Sequence, residues 1–127
     1  MLEQLVAEPL LDDAQVSMLR EAIDEGELHA MFAELPASAR RSLEAIEAAL
    51  ESGDLDRAKR AAHVLKGAAS SFGAARLSSI ASEIELSSIS TTAALGLLPT
   101  LSDTIEQTIA LLPGSTENAE AGRRNSR

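Results

Sequence analysis

The chain has 127 residues, 20 acidic against 11 basic side chains for a net charge of −9, 45% hydrophobic residues and only 2% aromatics. That length suits one compact domain, and the absence of cysteine excludes disulfides, thiolate metal sites and cysteine nucleophiles. Net acidity argues against non-specific binding to nucleic acid or to an anionic membrane, both of which require clustered positive charge. No apolar run approaches the ~20 residues of a membrane span, and the N-terminus lacks the basic start and apolar stretch of a signal peptide. A cytoplasmic protein is therefore expected.

Sparse β-branched residues and abundant Ala, Leu, Glu and Arg predict an all-α fold. Asp12 and Asp13 precede apolar residues at Val16, Leu19 and Ile23, spaced as one face of a short helix that ends near Gly26. Leu28, Met31, Phe32, Leu35, Leu43, Ile46 and Leu50 continue the pattern, with Pro36 predicting a kink or two successive helices. Gly53 and Asp54 read as a helix C′ residue and the N-cap of a third helix from Leu55 to Phe72, which Gly73 stops. Leu77, Ile80, Ala81 and Ile84 mark a fourth helix running toward Ser88. After a Ser/Thr-rich connection, Ala94 to Leu112 mark a last one, ended by Pro113-Gly114. Pro99 belongs either to its first turn or to a kink. Residues 113–127 lack periodicity and read as a disordered tail, leaving 1–112 as the domain. Four substantial amphipathic helices with short connections predict an antiparallel, up-down four-helix bundle, with the extra short N-terminal helix across one end.

The third helix carries the informative pattern. Ala58, Ala62, Leu65, Ala69 and Phe72 recur at spacings of four and three and define its core face. His63 lies off that stripe, in the company of Lys59, Lys66, Gly67 and Ser70. A core histidine would sit within the stripe, so this one is displayed to solvent. Gly67 costs about 1 kcal/mol relative to alanine inside a helix, and a missing side chain beside an exposed imidazole leaves a notch for another protein. Between Arg57 and Ser82 there are five basic residues, Arg57, Lys59, Arg60, Lys66 and Arg76, and no acidic one. A positive island inside an acidic chain is thus centred on a residue that can carry a phosphoryl group. His29, the other histidine, reads as an ordinary helix-surface residue.

The segment AHVLKGAASSFGAARL, residues 62–77, resembles the signature of histidine-containing phosphotransfer (HPt) domains of multistep phosphorelays. His63, Lys66, Gly67 and Gly73 match the pattern His-x-x-Lys-Gly with a second glycine ten residues after the histidine. The resemblance implies that His63 accepts a phosphoryl group from an aspartyl phosphate of a receiver domain and passes it to another receiver. It implies Lys66 as the phosphoryl-stabilising cation, Glu85 as the carboxylate that orients the imidazole, and Gly67 as the docking notch. Lys59, Arg60, Ser70 and Arg76 would belong to the partner-binding surface. Expected partners are receiver domains of hybrid histidine kinases and response regulators. Such transfer is dominated by position and charge; the chain would need no cofactor of its own, and magnesium is expected on the receiver. Without a phosphate-binding loop the protein is expected to lack autonomous kinase activity.

The dimerisation domain of a sensor kinase is a poorer match, because Val64 follows the histidine where that class has an acidic residue and Ala68 stands where it has proline. A monomer is therefore expected. The alternative of another class is a non-catalytic helical adaptor whose basic face around His63 binds an acidic partner. The Met1 start and polar tail favour a free-standing shuttle over a fragment of a larger kinase.

Overall fold

The structure, a computed structural model, describes residues 7–86 and 90–112. Among these residues the fold is all-helical, with no strand: α1 (Asp13–Ala22), α2 (Glu25–Glu51), α3 (Leu55–Ser71), α4 (Ala75–Leu86) and α5 (Thr91–Leu111). The expected tail, the Pro113-Gly114 stop and residues 87–89 of the Ser/Thr-rich connection fall outside the described residues.

Helix ends follow local chemistry. Asp12 accepts from the backbone amides of Ala14 and Gln15 and starts α1. Asp24 caps α2, so Gly26 is the second residue of that helix and not the stop of the preceding one; α1 ends earlier, at Ala22. At the ends of α2 and α3 the two glycines adopt left-handed backbone, with φ of +76° at Gly53 and +74° at Gly73. In each case the glycine amide bonds back to the carbonyl three residues earlier, and the following amide to the carbonyl five residues earlier. These bonds run from Gly53 to Leu50 and Asp54 to Ala49, and from Gly73 to Ser70 and Ala74 to Ala69. This Schellman geometry satisfies carbonyls that the helix leaves without partners. Asp54 then accepts from the Arg57 amide and opens α3.

The prolines do not divide their helices. Pro36 lies within the continuous 27-residue α2, and Pro99 is the ninth residue of α5 rather than part of its first turn. Pro36 removes one backbone donor, yet Phe32, Leu35 and Ala39 on either side of it are almost completely buried. Tertiary packing thus holds a helix that local propensity alone would interrupt.

α3 packs against α2 and α4, and α5 closes the circuit by packing against the same two helices. The main core is built from residues such as Ile46, Leu65, Leu77, Ile80, Ile84, Leu101 and Ile105. The buried stripe of α3 is Ala58, Ala62, Leu65 and Ala69, all without solvent exposure. Three alanines out of four leave little side-chain bulk between α3 and its neighbours, which is what allows short polar side chains to meet across the α3–α4 seam. A second apolar cluster joins Leu28, Phe32, Leu35 and Leu112, with Leu11, Leu19 and Phe72 packed on it. The rings of Phe32 and Phe72 are 5.2 Å apart at 44°, a tilted aromatic pair.

The N-terminal segment is tied to the α3–α4 turn. The Asp12 amide donates to the Gly73 carbonyl at 2.7 Å, and Arg76 donates from its backbone amide to the Pro9 carbonyl and from Nε to the Glu8 carbonyl. Gln15 Nε2 donates to the Ser70 carbonyl.

Candidate functional site

α3 turns its alanine stripe inward and thereby presents the opposite face to solvent. His63 is on that outer face, with 66% of its side chain exposed. Across the seam α4 brings Glu85, only 15% exposed, against it. Glu85 Oε2 lies 2.5 Å from His63 Nδ1, and Glu85 Oε1 lies 2.6 Å from Lys66 Nζ. One carboxylate therefore receives two partners that are neighbours on α3. Its pKa is held below the ordinary 4.5 first by the hydrogen bond from Lys66, then by the hydrogen bond from His63 and the charge of Lys66, with partial burial opposing them. An ionised Glu85 is an acceptor only, so the proton in its contact with His63 belongs to the imidazole: Nδ1 carries it, and neutral His63 keeps its free lone pair on Nε2.

Of the residues singled out from the sequence, His63, Lys66 and Glu85 meet in this cluster. Lys59 and Arg60 line a groove together with His63, Glu85, Val64 and Leu86. Gly67 is exposed, and a Cβ built on it would meet nothing within 4 Å. No packing among the described residues accounts for a glycine there. Gly67 instead borders a second groove, between α2 and α3, lined by Met31, Glu34, Ser38 and Phe72 among others. Ser70 lies next along the seam, its hydroxyl 2.8 Å from that of Ser78. Arg76 does not join the cluster. It stands nine residues before Glu85 on α4, about 13 Å along the axis, and its guanidinium holds the Glu8 carbonyl. His29 is exposed on α2, apart from these contacts.

Two neighbours of the cluster were not apparent from the chain alone. Val64 and Leu86 are apolar yet 61% and 67% exposed, and they flank His63 and Glu85 respectively. Val64 carried a signal, since it falls outside the stripe of α3; Leu86 carried none, because its exposure depends on where α4 ends.

A family model for the Hpt domain matches residues 28–114, more than half of the chain, and the protein belongs to that family. Its members carry a phosphoryl group on a histidine within phosphorelays and interact with receiver domains; they are phosphocarriers and not kinases. No curated protein and no solved structure matches the chain. Among the described residues, no helix is long and apolar enough to cross a membrane, and no group of three or more His, Cys, Asp or Glu side chains is arranged to hold a metal ion.

Proposed function

We propose that His63 is the phosphoacceptor of this protein and that it shuttles a phosphoryl group between two receiver domains. The observation that carries this reading is the pairing of an exposed imidazole with Glu85 through Nδ1, which leaves Nε2 as the nucleophile. In the forward step the Nε2 lone pair forms the N–P bond as the acyl phosphate P–O bond of the receiver's aspartate breaks. The bonding pair leaves with the aspartate carboxylate. The Nδ1 proton stays in place, and Glu85 balances the positive charge that develops on the ring, so no proton has to be moved in either direction. Lys66 fixes Glu85 and adds positive charge one turn from the ring. Magnesium belongs to the receiver's acidic pocket.

Docking would use the outer face of α3. Lys59 and Arg60 complement that acidic pocket, Val64 and Leu86 supply an apolar rim, and the open space at Gly67 admits the receiver's backbone. Ser70 and Arg76 extend the surface toward the α3–α4 turn. The protein acts in this reading as a cytoplasmic monomer, its first 112 residues forming an up-down, antiparallel four-helix bundle preceded by the short α1.

The test is transfer from a receiver domain charged with labelled phosphate. Acid-labile, base-stable label should appear on the protein and be absent from His63→Gln, whose helical circular dichroism is unchanged. Equal labelling of the two proteins would sink the proposal.

A further inference from the structure

The cations around His63 are not equivalent. Arg60 precedes the histidine by three residues and Lys66 follows it by three, so at about 100° per residue they flank it at opposite offsets of about 60°. Lys66 stands on the flank that faces α4, where its ammonium is spent on Glu85. Lys59 lies on that flank too, half-buried. Arg60 stands on the other flank, exposed, lining the groove that contains His63, with no ion pair or hydrogen bond to another described residue.

The ring's orientation makes this asymmetry matter. Glu85 draws the Nδ1 edge of His63 toward α4, and the two imidazole nitrogens lie on opposite sides of the carbon between them. Nε2 is therefore turned away from Glu85, open to a group arriving in the groove that Arg60 lines. Glu85 also offsets part of the charge of Lys66, so that pair alone supplies less positive charge than an arriving group with nearly two negative charges calls for. A guanidinium is suited to the remaining task, since its planar fork matches two phosphoryl oxygens and keeps its charge at all working pH values.

We infer that Arg60 binds the phosphoryl oxygens directly once His63 carries the group, and is thereby a catalytic residue as well as a docking residue. This rests on His63 being the phosphoacceptor. Bond making and breaking are those of the transfer step above; Arg60 contributes hydrogen bonds and charge and exchanges no proton.

The experiment uses the full chain, phosphorylated by a charged receiver and then separated from it. The phosphoryl ³¹P resonance is titrated with pH in the parent protein, Arg60→Ala and Arg60→Lys. A cation at the phosphoryl oxygens favours their fully ionised form, so Arg60→Ala should raise the titration midpoint by about one pH unit, and Arg60→Lys should restore most of it. Single-turnover transfer to saturating receiver should fall roughly tenfold or more in Arg60→Ala. An unchanged midpoint, with loss confined to the receiver concentration needed for half-maximal rate, would leave Arg60 a docking residue only and overturn the inference. Absence of any phosphohistidine at position 63 in the parent protein would instead overturn the phosphoacceptor reading, and this one with it.

Discussion

The two faces of α3 obey opposite rules. Inward, Ala58, Ala62, Leu65 and Ala69 are fully buried. Outward, His63 is two-thirds exposed, Val64 is exposed despite being apolar, and Gly67 has open space where a side chain would stand. The inner face is optimised for the folded protein alone. The outer face is not, and its departures (an exposed valine, a helix-weakening glycine, an imidazole held by a carboxylate of α4) acquire a purpose only when a second molecule is present. Fold and chemistry are thus written on one helix at interleaved positions, and substitutions should separate them.

The largest separation is expected at Glu85. Glu85→Ala should slow phosphoryl transfer roughly 10- to 100-fold, the usual effect of losing a side chain that orients a reactive group. Glu85→Gln keeps an acceptor for Nδ1 and should lose less; equal losses would mean that charge alone matters. The carboxyl titration of Glu85, followed by NMR, should have its midpoint below 4.5, and Lys66→Ala should raise it, Lys66 being the main cause of the depression. Because the folded-state pKa is lowered, the stability this bridge contributes is present above the ordinary carboxylate pKa and is lost as pH falls through the folded value.

On the inner face, Ala62→Leu should lower unfolding free energy by about 1–3 kcal/mol through overpacking, read from denaturant midpoints. Transfer per folded molecule should be nearly unchanged. A stability loss at Ala62 no larger than that of an exposed alanine would break the distinction between the faces. Gly67 should show the reverse signs: Gly67→Ala stabilises by up to about 1 kcal/mol, since nothing opposes the new methyl group, whereas Gly67→Leu slows transfer by obstructing the receiver.

The smallest effect belongs to a bridge that resembles the site only superficially. Arg40 and Glu106 join α2 to α5 through two hydrogen bonds, of 2.7 and 3.0 Å, but both side chains are about half exposed. Arg40→Ala should cost 0–1 kcal/mol and leave transfer untouched. It is a control for the idea that any interhelical ion pair would matter as much as that of Glu85.

What the chain revealed in advance was whatever is local. The Gly53-Asp54 punctuation, the alanine stripe and the exposure of His63 depend on residues within a turn or two of one another, and each was readable from spacing. Continuity through Pro36 was not, because it depends on burial of Phe32 and Leu35 against other helices. The Glu85 contact with His63 was anticipated only through family resemblance. Its second contact, with Lys66, needed the α3–α4 seam to be known. The surroundings of Arg76 needed the fold for the same reason: it belongs to the basic island in sequence, while its guanidinium holds the Glu8 carbonyl of the N-terminal segment.

That segment also changes how the protein can be cut. The family match begins at residue 28, after α1 has ended, yet Leu11 and Leu19 pack against the Phe32 cluster and Asp12 is bonded to the turn that closes α3. A fragment trimmed to the family boundary would keep every residue of the His63 cluster while losing the cover from one end of its core. The heritable module and the physically self-sufficient one have different first residues, and grafts of this phosphocarrier into other chains should begin at or before Glu8.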